Sequence, residues 1–229
     1  MVATEARRAG GTLTSLGLIL AKDLRVEWRT REIVTSMGLP ALLLVIVLGA
    51  GRADAAAASA PTAMWVTYAF GAALGFARTF AQERGGLSAL RLAPIDGAAV
   101  VLAKTAANWL ALLIVQIVSL PVLGALLTEQ IWTRLGALAL PLILGGLALA
   151  VVGTLLGALL VQTRLREVLL PLLMLPVILP ALIAAIGATT AILDGQPVAA
   201  VGAQLQLLFA FDILFGATSL LLFDVIVEE

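Results

Sequence analysis

Three polar side chains stand in stretches of this chain that are otherwise almost wholly apolar. Lys104 and Asn108 are four residues apart, so a helix would set both on one face, with Trp109 beside them. Asp212 falls near the middle of another apolar run, where an ionised carboxylate costs roughly 2.5–3.5 kcal/mol on insertion scales. A carboxyl group there is either neutral or turned toward protein. That makes it the strongest single candidate for a buried functional residue, and the plainer reading is a bond to a neighbouring helix. Lys104, near the start of its run, is expected to snorkel to the membrane surface. An ion- or proton-coupled carrier could be built on Asp212 and Lys104, but that class carries internal repeats, and none is visible.

Other chemistries are excluded by what the chain lacks. It has no His and no Cys, so disulfides, thiolate catalysis and zinc-finger patterns are ruled out, and metal sites would need carboxylates, which are scarce. Lys104-Thr105 is similar to the end of a phosphate-binding loop, yet Ala103 occupies the position that needs glycine and Gly97 is misplaced. No nucleophile and base pair stands out, so the chain is expected not to be an enzyme. Net charge is zero, which gives no field for nucleic acid.

The most structured loop is 81–97, with Glu83, Arg84, Leu87, Leu90 and Arg91. Gly85-Gly86 breaks the incoming helix, Leu87 and Leu90 make a short helical turn, and Pro94 stops it. A short charged helix between two spans can pass a push from a soluble partner into the bilayer; the alternative is a solvated turn at the membrane surface. Pro171, Pro176 and Pro180 crowd one apolar run, and each removes a backbone hydrogen bond, so that helix is expected to bend and could leave a cavity.

The elements that must position these residues are membrane spans. Hydrophobic residues make up 62% of the 229, well above soluble usage, and they come in runs of the length that crosses a bilayer. Six spans are predicted at about 34–50, 61–80, 98–127, 135–162, 168–193 and 198–227, joined by short connections. Before them, residues 1–33 carry Arg7, Arg8, Lys22, Asp23, Arg25, Glu27, Arg29 and Arg31. Leu13, Leu16, Leu20, Leu24 and Trp28 recur at helical spacing, which predicts an amphipathic helix on the membrane surface. No small-x-small cleavage site follows, so this segment is read as retained rather than as a signal peptide. The chain therefore divides into a segment 1–33 and a membrane domain 34–229. Gly71 with Gly75 and Gly153 with Gly157 are small-residue pairs that let helices approach closely.

Orientation follows from Lys and Arg. Twelve lie in the N-terminal segment and the second and fourth connections with their helix ends, while Arg52 and Arg134 alone lie on the other side. The excess marks the cytoplasm, so both termini are predicted there.

Against these residues, the chain resembles the haem exporter protein B family (CcmB) of cytochrome c maturation. The similarity is strongest at Trp65-Val66, at Leu90-Arg91-Leu92-Ala93-Pro94, at Val100-Val101-Leu102-Ala103-Lys104 and at Asn108-Trp109. Lys22-Asp23-Leu24-Arg25 with Arg29, and Leu175-Pro176 with Leu179-Pro180, extend it from about residue 16 to 185. The pattern departs at Asn108, where the family has histidine, at Gly85-Gly86-Leu87-Ser88-Ala89 in place of its acidic loop, and at Arg164-Leu165-Arg166. The histidine's role does not carry over.

The resemblance implies an all-α, ABC-2-like permease subunit of a bacterial inner (cytoplasmic) membrane, working with a separate cytoplasmic ABC ATPase and other cytochrome c maturation membrane proteins, with a homodimer as an open arrangement. It implies haem as a handled or transported ligand. Tight axial ligation is not expected, since only Met37, Met64, Met174 or Tyr68 could serve. The ATPase-coupling surface would comprise Lys22, Asp23, Arg25 and Arg29 with Glu83, Arg84, Leu87, Leu90 and Arg91. Within the spans, Lys104, Asn108, Trp109, Pro176, Pro180 and Asp212 are the functional candidates. A related exporter permease for lipid, glycan or drug is the nearest alternative.

Overall fold

A computed structural model describes residues 17–22, 24–27, 29–50, 56–79, 97–160, 163 and 165–228. Among these, six long helices follow one another: α1 (Glu32–Ala50), α2 (Ala56–Thr79), α3 (Gly97–Leu126), α4 (Gln130–Leu159), α5 (Arg166–Leu193) and α6 (Gly202–Glu228). A single 3-10 turn, Val198–Val201, leads into α6. No strand occurs among the described residues. The helices coincide with the predicted apolar runs to within a few residues, except that α2 and α4 each start five residues before the run assigned to them.

Direction alternates along the chain. Gly71 of α2 lies against Met37 and Ala41 of α1, and Asn108 of α3 bonds Thr154 of α4. α2 and α4 run the same way, since Trp65 meets Gly145 and Phe76 meets Gly153. α4 also packs on α3, α5 and α6, while α2 packs on α1 and α5, so α2 and α4 form the centre of the bundle.

Four segments are long and apolar enough to cross a membrane: 98–126, 130–159, 166–193 and 198–222. α1 contributes a shorter apolar stretch, Val34–Leu48. α2 falls outside that group for a physical reason. Its Trp65, Thr67, Tyr68 and Phe76 are fully buried, and alanines and glycines fill most of the remaining inward positions. A helix surrounded by protein has little lipid to satisfy, so its composition can drift toward small and polar residues without loss. The chain is thus an all-helical protein with membrane-embedded helices.

Glycine makes the central contact. At Gly145 and Gly153 a Cβ would run into the ring atoms of Trp65 and Phe76 respectively, and at Gly75 into the Met37 side chain. In lipid no hydrophobic drive holds helices together, so close backbone approach and dispersion contacts must do so. Gly71 and Gly75, anticipated as a close-packing pair, both receive α1 within this chain. α5 runs unbroken through Pro171, Pro176 and Pro180. Pro176 and Pro180 stand on its exposed side.

Gly153→Ala should destabilise the purified chain by about 1–3 kcal/mol, because Phe76 has no room to yield. Gly136→Ala, where a Cβ would meet nothing within 4 Å, should leave it unchanged or firmer. Denaturant titration in detergent, followed by helicity, reads both.

Candidate functional site

Polar side chains collect along the bundle interior, chiefly on α3. Lys104, Thr105, Asn108, Gln116 and Ser119 are all buried. On a helix these five positions fall within about a third of the circumference, which gives α3 one polar seam pressed onto its neighbours. Asn108, 1% exposed, donates from Nδ2 to Thr154 Oγ1 at 3.0 Å. Trp109 lies half-buried beside it and donates from Nε1 to the Ile143 carbonyl at 3.1 Å. Lys104 is 7% exposed and makes an interaction of its own, so its side chain is covered by protein. It shares its side of the helix with Asn108, and that side turns toward protein.

Further along α3, Ser119 Oγ donates to the Gln116 carbonyl at 3.0 Å and lies 3.1 Å from the Tyr68 hydroxyl. Tyr68 stands edge-on to Trp65, ring centres 5.9 Å apart. Trp65 in turn donates from Nε1 to Thr189 Oγ1 at 2.9 Å, and Thr189 donates to the Ala185 carbonyl at 2.7 Å. This chain of contacts ties α3, α2 and α5 together at the bundle centre. Gln116, 1% exposed, has neither end of its carboxamide bonded among the described residues, and it abuts Gly146.

Asp212 of α6 is 7% exposed, and neither carboxylate oxygen has a hydrogen-bond partner among the described residues. The plain alternative for this residue, a bond to a neighbouring helix, is therefore absent in this conformation.

The cytoplasmic-surface candidates divide. Lys22, Arg25 and Arg29 are described and exposed on the helical residues 17–22, 24–27 and 29–30. Ile19 of that segment packs against the cluster of Val100, Val101 and Ala158, which sets it against the junction of α3 and α4, and Leu220 of α6 packs on the same cluster. Asp23, Trp28, Glu83, Arg84, Leu87, Leu90 and Arg91 lie outside the described residues.

Two residues at the junction with α1 escaped the sequence reading. Arg31 takes a left-handed backbone, φ 54°, and its N–H bonds the Glu27 carbonyl. The Glu27 carboxylate accepts from the Val34 N–H at 2.8 Å. An acidic side chain on the first turn of a helix satisfies a free amide and complements the helix dipole. Together these form a corner between the N-terminal helix and α1. An acidic residue seven positions before an apolar run is the signal that could have pointed to it.

Among the described residues no group of three or more acidic, His or Cys side chains could hold a metal ion. What the arrangement offers is a tightly interlocked helical membrane bundle with a polar interior seam and a basic helix fastened to one end. A family model described as CcmB protein matches residues 14–225. The chain belongs to the CcmB family, whose members are ABC-type permease subunits of cytochrome c maturation. No curated protein matches it.

Two outcomes are expected here. A double-mutant cycle of Asn108→Ala with Thr154→Val should give a coupling of about 0.6 kcal/mol and no more than about 1.7, the range for bonds between membrane helices. Arg31→Gly should firm the corner by up to about 1 kcal/mol, because glycine carries no left-handed penalty. Hydrogen exchange at the Val34 and Thr35 amides would register the gain.

Proposed function

We propose that this chain is the membrane permease subunit of an ABC-type complex that serves haem delivery in c-type cytochrome biogenesis. ATP is hydrolysed by a separate cytoplasmic subunit. The observation that carries the reading is the family match, which runs from residue 14, in the N-terminal segment, to residue 225 near the end of α6.

In this reading all six helices cross the inner membrane, in an ABC-2-like arrangement with both termini in the cytoplasm. α1 and α2 are held there by their partners more than by lipid. The alternating helix directions and the Lys and Arg distribution support that placement. The ATPase docks on Lys22, Asp23, Arg25 and Arg29 of the N-terminal helix and on Glu83, Arg84, Leu87, Leu90 and Arg91 of the following cytoplasmic loop. Attachment of the N-terminal helix through Ile19 to the cluster where α3 meets α4, on which Leu220 of α6 also packs, would let a push on it reach the spans that meet there.

Asn108 bears on the role of haem. A carboxamide is no ligand for haem iron, and this one is buried and bonded to Thr154. That favours a mechanism in which the ATPase cycle releases a loaded haem chaperone from a neighbouring membrane protein, over passage of haem along this seam.

Arg84→Glu combined with Arg91→Glu should abolish co-purification of the ATPase with the chain from detergent-solubilised membranes. Undiminished recovery would overturn the docking surface. Failure of the unaltered chain to retain any ATPase would overturn the permease reading itself.

A further inference from the structure

α6 holds three polar side chains, Asp212 and Ser219 buried and Gln204 partly so, whose buried oxygens lack partners among the described residues: Gln204 Oε1, both oxygens of Asp212, and Ser219 Oγ. They are spaced eight and seven residues apart, which places all three within about a quarter of the helix circumference. At 1.5 Å per residue they extend over about 22 Å, most of the roughly 30 Å hydrocarbon core. Leu208 and Phe211 lie on the same inward side, while Phe209, Ile213 and Leu214 occupy the opposite, exposed side.

The oxygens are not left over by chance. Hydroxyls in apolar helices ordinarily return to their own backbone, as Thr218 does to the Leu214 carbonyl and Thr190 to the Ile186 carbonyl. Ser219 does neither. Lys104, the cationic group buried on α3, makes an interaction of its own, and Asp212 has no hydrogen-bond partner among the described residues. Asp212 sits about 12 Å along α6 from Leu220, which packs with Val101; Asn108 sits about 10 Å along α3 from that same level. The carboxylate is thus well inside the bundle. A buried acceptor without a donor costs on the order of 1–3 kcal/mol, and more when charged.

All four atoms can accept a hydrogen bond and the Ser219 hydroxyl can also donate one, so what is missing is a set of small polar partners. α6 is also the least enclosed of the four long spans. We propose that α6 parts from the bundle to admit water along this face, and that Asp212 is a binding carboxylate in that wetted path for a small monovalent cation, hydronium included. This assignment does not depend on the identity of the ATPase or of the transported ligand.

The chain has no cysteine, so single introduced thiols report without interference. Gln204→Cys and Ser219→Cys would be exposed, in native membranes with their partner subunits, to membrane-impermeant methanethiosulfonates carrying a positive or a negative charge. Both positions should react faster than Phe209→Cys and Ile213→Cys on the lipid side. Leu208→Cys, which keeps all three polar groups, is a second reporter should either polar variant fail to accumulate. Adding Asp212→Asn should lower the cationic rate at Ser219→Cys and raise the anionic one, each about 4-fold for a charge some 10 Å away in a partly wetted seam.

Rates on the inward face no higher than on the lipid face would overturn the wetted path. Labelling with an unchanged cationic-to-anionic ratio would overturn Asp212 as the binding carboxylate. The cation sources separate on competition: protection of Leu208→Cys from the cationic reagent by sodium over choline at fixed pH marks a metal cation. Loss of the ratio on acidification alone marks hydronium.

Discussion

Trp65 and Phe76 of α2 seat in the notches that Gly145 and Gly153 leave on α4, and the rest of the bundle is arranged around that contact. Apolar surfaces gain little by meeting one another when the alternative is lipid, so association depends on how closely backbones approach and how well shapes interlock. Two rings entering two glycine notches on parallel helices fix both the rotation and the vertical register of α2 on α4. α1 then closes on the other side of α2 through Gly71 and Gly75, and α5 is tied in through Thr189. Hydrogen bonds in such a setting refine the register more than they create it.

The polar seam follows from the same constraint. Once α3 is laid against α4, Asn108 meets Thr154 and Ser119 comes beside Tyr68, so the polar groups of the interior are largely satisfied between helices. α6 differs. Among the described residues it joins the bundle through α4, α5 and α3 without a glycine notch of comparable depth, and it holds four of the seven buried side-chain atoms left without a partner, the others being Thr67 Oγ1 and both ends of the Gln116 carboxamide. The tightest and the least settled parts of the interior are thus adjacent, with α4 common to both.

Much of this was legible in the sequence, and the exceptions have physical causes. Helix positions could be read because long apolar runs have one regular solution in lipid. Asp212 announced itself as a carboxyl in an apolar run, and the small-residue pair at Gly71 and Gly75 as a place of close approach. What could not be read was which way each face turns. Lys104 near a helix end fits a surface position as well as an inward one, and only the neighbouring helices decide. Gly145 carries no spacing motif that names an aromatic partner eighty residues earlier. Glu27 and Arg31 look like two more charges of a surface helix until the backbone between them is seen to turn.

The enclosure of α2 bears on how the protein is made. A segment whose inward positions hold tryptophan, tyrosine, threonine and small residues draws modest support from lipid, and α4, whose glycine notches receive its rings, is synthesised some seventy residues later. During translation α2 would enter the bilayer before the notches that receive its rings exist. Its early residence must lean on α1, or on the insertion machinery, until α4 arrives. The order of synthesis is therefore a vulnerability of this fold: a delay between the second and fourth helices would leave the most deeply buried element of the finished bundle the least secure during its assembly.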